Sequence, residues 1–479
     1  LISRLLIVLA GIGSAAWATS NWRKAVQVTM VMVIVEGALR KWFLPSSQDL
    51  VYFAKDVVLL GAYVGFFRDQ TRQQFKPPPL TLVKILLAAS VLIGLIQVVN
   101  PNLPNVLVGI FGFKAYFYYV PLLWLLPAAF RSDAELWDFL RRYVLIAIPV
   151  GLLAVAQFFS PSTSFLNTYA RTEGVTGTSI NAITFGSSEY VRVTATFSFI
   201  TGYTAYLLAT AMLLLGVIGA LRWKFRGNLL FFVALGMDLL GILMTGSRGP
   251  VVLLIAVYPL YWWLAVIRER GGGAAFGRLV VAMVLVAGFL AFAGEDALNA
   301  FYGRAQGVSD VPGRLSSPLL SPFAVLPEVG LLGLGIGATH QTAATLAPSV
   351  FPYSWLHGLL IEVESGRIMI ELGPLGFGFV YLLRFGLCFV ALRQVLTMRT
   401  RFHRALATAS LLFFLTSIPG GVVFDVTADL YFWFFVGLLA TAMRLDRQAI
   451  QEAGMATQVS APRPQATLPA VAGLAQGAT

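Results

Sequence analysis

Charge is what this sequence has little of. Charged residues make up 12% of the 479-residue chain and hydrophobic residues 58%, whereas a soluble protein carries about 25% charge. Folded in water, such a chain has too little polar surface to cover itself. A mean hydropathy of +0.78 points to lipid as its solvent. Cysteine is nearly missing too. The one thiol, Cys388, excludes an internal disulfide and any cysteine-cluster metal site. In its apolar run it reads as buried and inert. Three histidines, His340, His357 and His403, are few for a multi-histidine centre, and no metal and no cofactor are expected. No GxxxxGK[ST], HExxH, GxSxG or CxxC stretch occurs. GLGIG at 333–337 looks like part of a dinucleotide loop, but its expected place outside the membrane argues against that use.

Long apolar runs, in contrast, are plentiful. About 20 residues cross a bilayer. Some thirteen candidate spans follow: 1–19, 25–43, 50–67, 80–99, 112–130, 143–160, 197–220, 228–246, 250–267, 278–294, 367–392, 405–421 and 427–443. The first reads as a span and not as a cleaved signal peptide. Lys+Arg outnumber Asp+Glu by 34 to 22. That excess falls in the connections 68–76, 131–142, 222–226, 268–278, 393–404 and 444–447, which this span list places on one side. The positive-inside rule makes that side the cytoplasm and removes nucleic acid as the reason for the charge. The sequence therefore predicts an all-α, polytopic transmembrane bundle of about 12–14 spans. The membrane domain covers 1–447, with outward loops at 161–196 and 295–366. The end, 448–479, rich in Ala, Gln, Pro and Gly, reads as a disordered cytoplasmic tail.

The informative residues are cations on the wrong side for that rule: Arg40, Lys41, Lys114, Arg171, Arg192, Arg248, Arg304, Arg314 and Arg367. An ionisable group near the bilayer is costly without a partner or a function. Guanidinium groups grip phosphate through paired hydrogen bonds, so the set points to an anionic substrate such as a lipid-linked pyrophosphate. The bland alternative is snorkelling, or pairing with Glu36, Asp56, Glu173 or Glu189. Thr245-Gly246-Ser247-Arg248-Gly249-Pro250 suits a tight turn between two spans. Glu364, Arg367 and Glu371, three and four apart, share a helix face if that segment is helical. They suit either a base with a phosphate clamp or an acidic first turn with an internal ion pair. His340 and His357 are candidate bases. His403 reads as solvated. Lys55 and Asp56 read as a pair within a span, and Asp425 and Asp429 as caps of the last helix.

Several of these stretches, in this order, resemble the O-antigen ligase and polymerase superfamily of bacterial envelope enzymes. Arg192-Val193-Thr194-Ala195-Thr196-Phe197 resembles its R-x-x-G-T-F segment, with Ala195 at the usual glycine. Thr245-Gly246-Ser247-Arg248-Gly249 resembles its S-R-G turn, and Gly313-Arg314 with 333–337 resembles the stretch around its large outward loop. Glu371-Leu372-Gly373 with Gly376 resembles its E-L-G-x-x-G. Where many relatives carry His-Asn, this chain has Glu362-Val363-Glu364, so a glutamate, or His340 or His357 from the loop, stands in for the base. That departure argues against a strict ligase and fits an exopolysaccharide branch. The resemblance implies a GT-C-like fold in the bacterial inner membrane with its site facing the periplasm. There it would polymerise oligosaccharide repeat units carried on undecaprenyl pyrophosphate. It implies membrane lipid, a flippase and a chain-length regulator as partners. The implied bases are Glu364, His340 and Glu362. The implied pyrophosphate ligands are Arg248, Arg192, Arg314, Arg367, Arg171 and Lys114, with Arg248 and Arg192 first. The rivals are a ligase acting on another acceptor and a transporter of lipid-linked glycan.

Overall fold

The computed structural model describes residues 2–69, 80–169, 180–181, 183–185, 189–221, 225–268, 288, 295–306, 311–340, 343, 346 and 363–460. The described chain is helical nearly throughout. In chain order its helices are α1 (Ile2–Ser20), α2 (Trp22–Ala38), α3 (Gln48–Tyr52), α4 (Ala54–Arg68), α5 (Thr81–Val98), α6 (Val106–Phe117), α7 (Leu122–Ala129), α8 (Asp133–Leu145), α9 (Ala147–Phe158), α10 (Ile200–Ala220), α11 (Phe225–Met244), α12 (Arg248–Arg268), α13 (Glu295–Gln306), α14 (Val311–Val329), α15 (Glu364–Thr397), α16 (Arg401–Thr416) and α17 (Val426–Ser460). Seven helical stretches are long and apolar enough to cross a membrane, α6–α7 and α8–α9 each counting as one, and three shorter apolar helices join them. At 1.5 Å per residue an 18–26-residue stretch spans about 27–39 Å, which matches a hydrocarbon core of about 30 Å. This is a multi-pass, all-α membrane protein. The candidate span 278–294 lies outside the described residues except for position 288.

The basic connections join alternate helix ends, after α4, α7, α10, α12 and α15. We call that side the basic face. The ends of α2, α5, α9, α11 and α16 lie at the opposite face. Caps fix several starts. The Asn105 side chain accepts from the Val108 amide at 3.1 Å. That of Ser132 accepts from the Glu135 amide at 3.3 Å, and Asp425 accepts from Thr427 and Ala428 at 2.9 and 3.1 Å. Asp425 thus caps α17 as expected, whereas Asp429 lies inside the first turn. α17 is the central helix, packed on α7, α10 and α16. It continues to Ser460, past the 447 boundary expected from the sequence; 461–479 lies outside the described residues.

The two expected loops carry structure of their own. Within 161–196, strands β1 (Thr168–Tyr169) and β2 (Ile180–Asn181) pair antiparallel, Thr168 opposite Asn181. Within 295–366, α14 packs on α15 despite Pro318, Pro322 and Pro327. It buries Ser321, Val325 and Val329 and exposes Leu319 and Phe323. At the basic face, His403 departs from expectation. It is fully buried, Nδ1 at 3.2 Å from Asp446 and Nε2 at 2.8 Å from Asp133, and so it ties α16 to α17 and α8.

Candidate functional site

Helix α2 does not stop cleanly. It runs into a five-residue π-turn, Leu39–Phe43. The wider turn points two successive cations, Arg40 and Lys41, inward; they are 6% and 7% exposed. Lys41 donates to Thr194 Oγ1 at 3.0 Å and to the Ala195 carbonyl at 2.6 Å. Ala195 is the one described non-glycine residue with positive φ, at 45°, a conformation that costs an L-residue about 1–2 kcal/mol. Gln157 holds it, accepting from the Ala195 amide at 2.8 Å and donating to its carbonyl at 3.1 Å. That strained corner delivers Phe197, Ser198 and Phe199 to the wall of a cavity. Gly37 lets the same segment lie against α2, since a Cβ there would meet the backbone of 196–198.

The cavity, about 430 Å³, falls within the ~300–1,000 Å³ of small-molecule sites. It opens between the opposite-face ends of α2, α4, α10, α15 and α17. Three cations from three helices converge on one ring in its wall. Arg40, Lys55 and Lys114 stand 5.0, 4.7 and 5.6 Å from the centre of Tyr52. Lys55 pairs with Glu36 at 2.6 Å and Lys114 with Asp56 at 2.6 Å. Tyr119 also donates to Asp56 at 2.6 Å. Arg40 is 3.9 Å from Glu36 and donates to Ser198 at 3.0 Å. The expected Lys55–Asp56 pair is therefore exchanged for two pairs between helices. Adjacent helical residues point about 100° apart, so each finds its partner on another element. Three cations thus face two carboxylates around Tyr52, with Asp425 and Asp429 elsewhere in the cavity wall. Lys114 lies eight residues into α6, about 12 Å along its axis, so this charge reaches bilayer depth.

The other wall is made where a membrane helix is broken. Gly373 sits at φ 65° inside α15, just before Pro374. Pro374 disfavours helix at the residue before it, and only glycine adopts this φ without strain. The break frees the carbonyls of Ile370 and Glu371. They accept from Leu334 and Gly335 at 2.8 and 3.0 Å, as irregular backbone at membrane depth requires. The glycine-rich 333–337 run, irregular backbone with Gly333, Gly335 and Gly337 at positive φ, is the partner of that break. It leads directly to Thr339 and His340. Thr339 donates to Glu371 Oε1 through its amide (2.9 Å) and hydroxyl (2.6 Å). Arg367 donates to Thr339 Oγ1 at 3.0 Å and its carbonyl at 2.8 Å, and stacks 3.5 Å from the centre of Phe424. Arg367 and His340 both line the cavity. Burial, then the charges of Arg367 and Lys114, hold the His340 imidazole down at about 4. Burial pushes the Asp425 carboxyl, on the cavity rim, above its usual range, against the pull of the Ala428 and Thr427 amides.

Of the residues singled out in the sequence, this geometry brings together Arg40, Lys114, His340 and Arg367. Glu364 is engaged elsewhere. It is 8% exposed, pairs with Arg384 at 2.5 Å and accepts from the amides of Val422, Val423 and Phe424 at 2.5, 2.7 and 3.4 Å. A carboxylate so satisfied holds the turn into α17 and is poorly placed to take a proton. Arg192 and Arg248 gather at a different place. Arg192 donates to the Thr245 carbonyl at 2.8 Å and to Ser247 Oγ at 3.3 Å, bracing the turn from which Arg248 opens α12. Neither lines the cavity. Arg314 falls in the first turn of α14, its side chain outside the described set. Glu362, Arg171 and His357 lie outside the described residues. Arg40 was among the outward cations read from the sequence, but Tyr52, Glu36, Asp425 and Asp429 carry no signal of a site there. No family model matches the chain, and no curated protein matches it.

Proposed function

We propose that the chain is a membrane glycosyltransferase that polymerises oligosaccharide repeat units carried on undecaprenyl pyrophosphate. It would act at the outer face of a bacterial inner membrane. The observation that carries this reading is the convergence of Arg40, Lys55 and Lys114 on Tyr52, beside Arg367, in one cavity at bilayer depth. Arg40 and Arg367 hold neutral partners or a distant carboxylate, so both guanidinium groups can turn to a diphosphate. The reaction breaks the bond between the donor's anomeric carbon and its phosphate oxygen, and the electron pair leaves with the pyrophosphate. The acceptor hydroxyl oxygen bonds to that carbon, and its proton passes to His340. A neutral imidazole nitrogen can act as the base. Burial depresses His340 most, and the charges of Arg367 and Lys114 add to it; a bound diphosphate offsets those charges and so strengthens the base once donor is present. The cations stabilise the charge developing on the leaving group.

Reconstitution in lipid with undecaprenyl-pyrophosphate-linked repeats tests this directly. A ladder of lengthening glycans with release of lipid pyrophosphate is expected. Transfer only when a different acceptor is added would make the chain a ligase. A second reading, transport of the lipid-linked glycan, is favoured by the broken helix α15, since discontinuous helices form transporter sites. Substrate crossing the bilayer unchanged would establish it.

A further inference from the structure

A second polar cluster lies behind the cavity wall and takes no part in the reaction above. Asp238, on α11, is 1% exposed. Among the described residues neither of its carboxylate oxygens has a hydrogen-bond partner. Hydroxyl groups of the neighbouring helices stand near it. Tyr203, Tyr206 and Thr210, spaced three and four apart, share one face of α10, the helix packed on α11. Their hydroxyls make no well-formed hydrogen bond, Tyr206 coming nearest with Thr210. Tyr203, Tyr206 and, from α17, Tyr431 all stand within the field of Asp238. Gly241, one turn along α11, leaves room for the Tyr203 hydroxyl, which would lie 2.6 Å from a Cβ there.

An ionised carboxylate alone in such surroundings is strongly penalised, so a ligand that neutralises it binds with that penalty relieved. Oxygen-only donors suit a hard cation. A divalent ion would leave a net positive charge in the membrane, whereas an alkali ion balances one carboxylate. We propose that Asp238, with the hydroxyls of Tyr203 and Tyr206, binds an alkali cation inside the membrane. The ion reaches its site from the cavity. Phe197 lines the cavity and packs on Tyr203 and Tyr206 at 5.7 and 5.1 Å between ring centres, so the site lies one ring behind the wall. The binding of an ion here is independent of the transferase reading.

Thermal unfolding of the full chain in detergent, in sodium chloride against the same ionic strength of N-methylglucamine chloride, decides it. A saturable rise in the midpoint with sodium is expected in the wild type. It disappears in Asp238→Asn and shifts to several-fold higher sodium in Tyr203→Phe. A wild-type midpoint indifferent to sodium overturns the proposal, and so does an equal response in Asp238→Asn. A midpoint that follows pH and not sodium overturns it in favour of a proton on Asp238. If Asp238→Asn does not fold, Tyr203→Phe decides alone, an unchanged half-saturation counting against the site.

Discussion

Two groups of outward cations look alike in the sequence and differ in the fold. Arg192 reaches across a turn to a backbone carbonyl and a serine hydroxyl. Arg40, Lys114 and Arg367 reach into a cavity from three elements, joined there by Lys55, which the sequence placed within a span. In the first group the hydrogen bonds hold the chain to itself. In the second they hold the charges apart around a space. An arginine on the wrong side of the charge rule is thus a weak sign of a binding site; what matters is whether it borders open volume, since Arg367 also donates to a hydroxyl and a backbone carbonyl. Glu364 and Glu36 make the same contrast among the acids, one holding the turn into α17 and the other restraining two cations at the cavity.

The largest effect should fall on the structural side of this contrast. Glu364→Ala leaves Arg384 buried and unpaired and should cost about 3–5 kcal/mol, read as a lowered unfolding midpoint. Activity per folded molecule should change little; a loss of turnover with unchanged stability would move Glu364 into the site. Next, Arg367→Ala should lower polymer formation by about 10²–10³-fold at normal protein level, whereas Arg248→Ala should lose less than about tenfold. Equal losses, measured on the same reconstituted ladder, would merge the two cation groups into one site.

His340 gives a pH test. Its folded pKa, about 4, lies below the unfolded value of about 6.5. Between those limits the unfolded chain binds more protons, so stability rises with pH across that window and falls as pH drops through it. His340→Gln should flatten the unfolding midpoint between about pH 4 and 6.5; an unaltered slope would show that other groups set it. The smallest effect is a gain. Ala195→Gly relieves positive φ and should stabilise by up to about 1 kcal/mol, less the entropy that glycine adds to the unfolded chain. A loss of midpoint in that variant would mean that the corner is not strained.

Much of the bundle could be read from the sequence, because apolar length and the side of the basic residues are both local signals. The charged pairs could be read only in part: Glu36 and Asp56 were candidate partners of the outward cations, as found for Arg40 and Lys114, but which cation each holds was not local. Lys55 and Asp56 are neighbours in the chain, yet each pairs with a residue on another helix, and only packing decides which. α14 was hidden by its three prolines, which it tolerates while packed on α15. His403 was hidden by the arginines around it, because nothing local announces that Asp133 and Asp446 close over it. Of the cavity, Lys114, His340 and Arg367 were visible as ionisable residues in apolar or glycine-rich surroundings. Tyr52 was not, since an aromatic residue at a helix end is ordinary until three cations meet on it. Ala195 marks a corner at positive φ, where glycine would sit without strain.

The break in α15 also bears on how the chain is built into the membrane. The freed carbonyls of Ile370 and Glu371 have their partners at Leu334 and Gly335, some 36 residues earlier in the chain. A nascent α15 entering lipid by itself would carry those carbonyls bare into hydrocarbon, at several kcal/mol each. The glycine run must therefore be on hand as α15 settles. The two segments then form a single unit of assembly, and the helix cannot be finished in the bilayer before the stretch that precedes it has folded back.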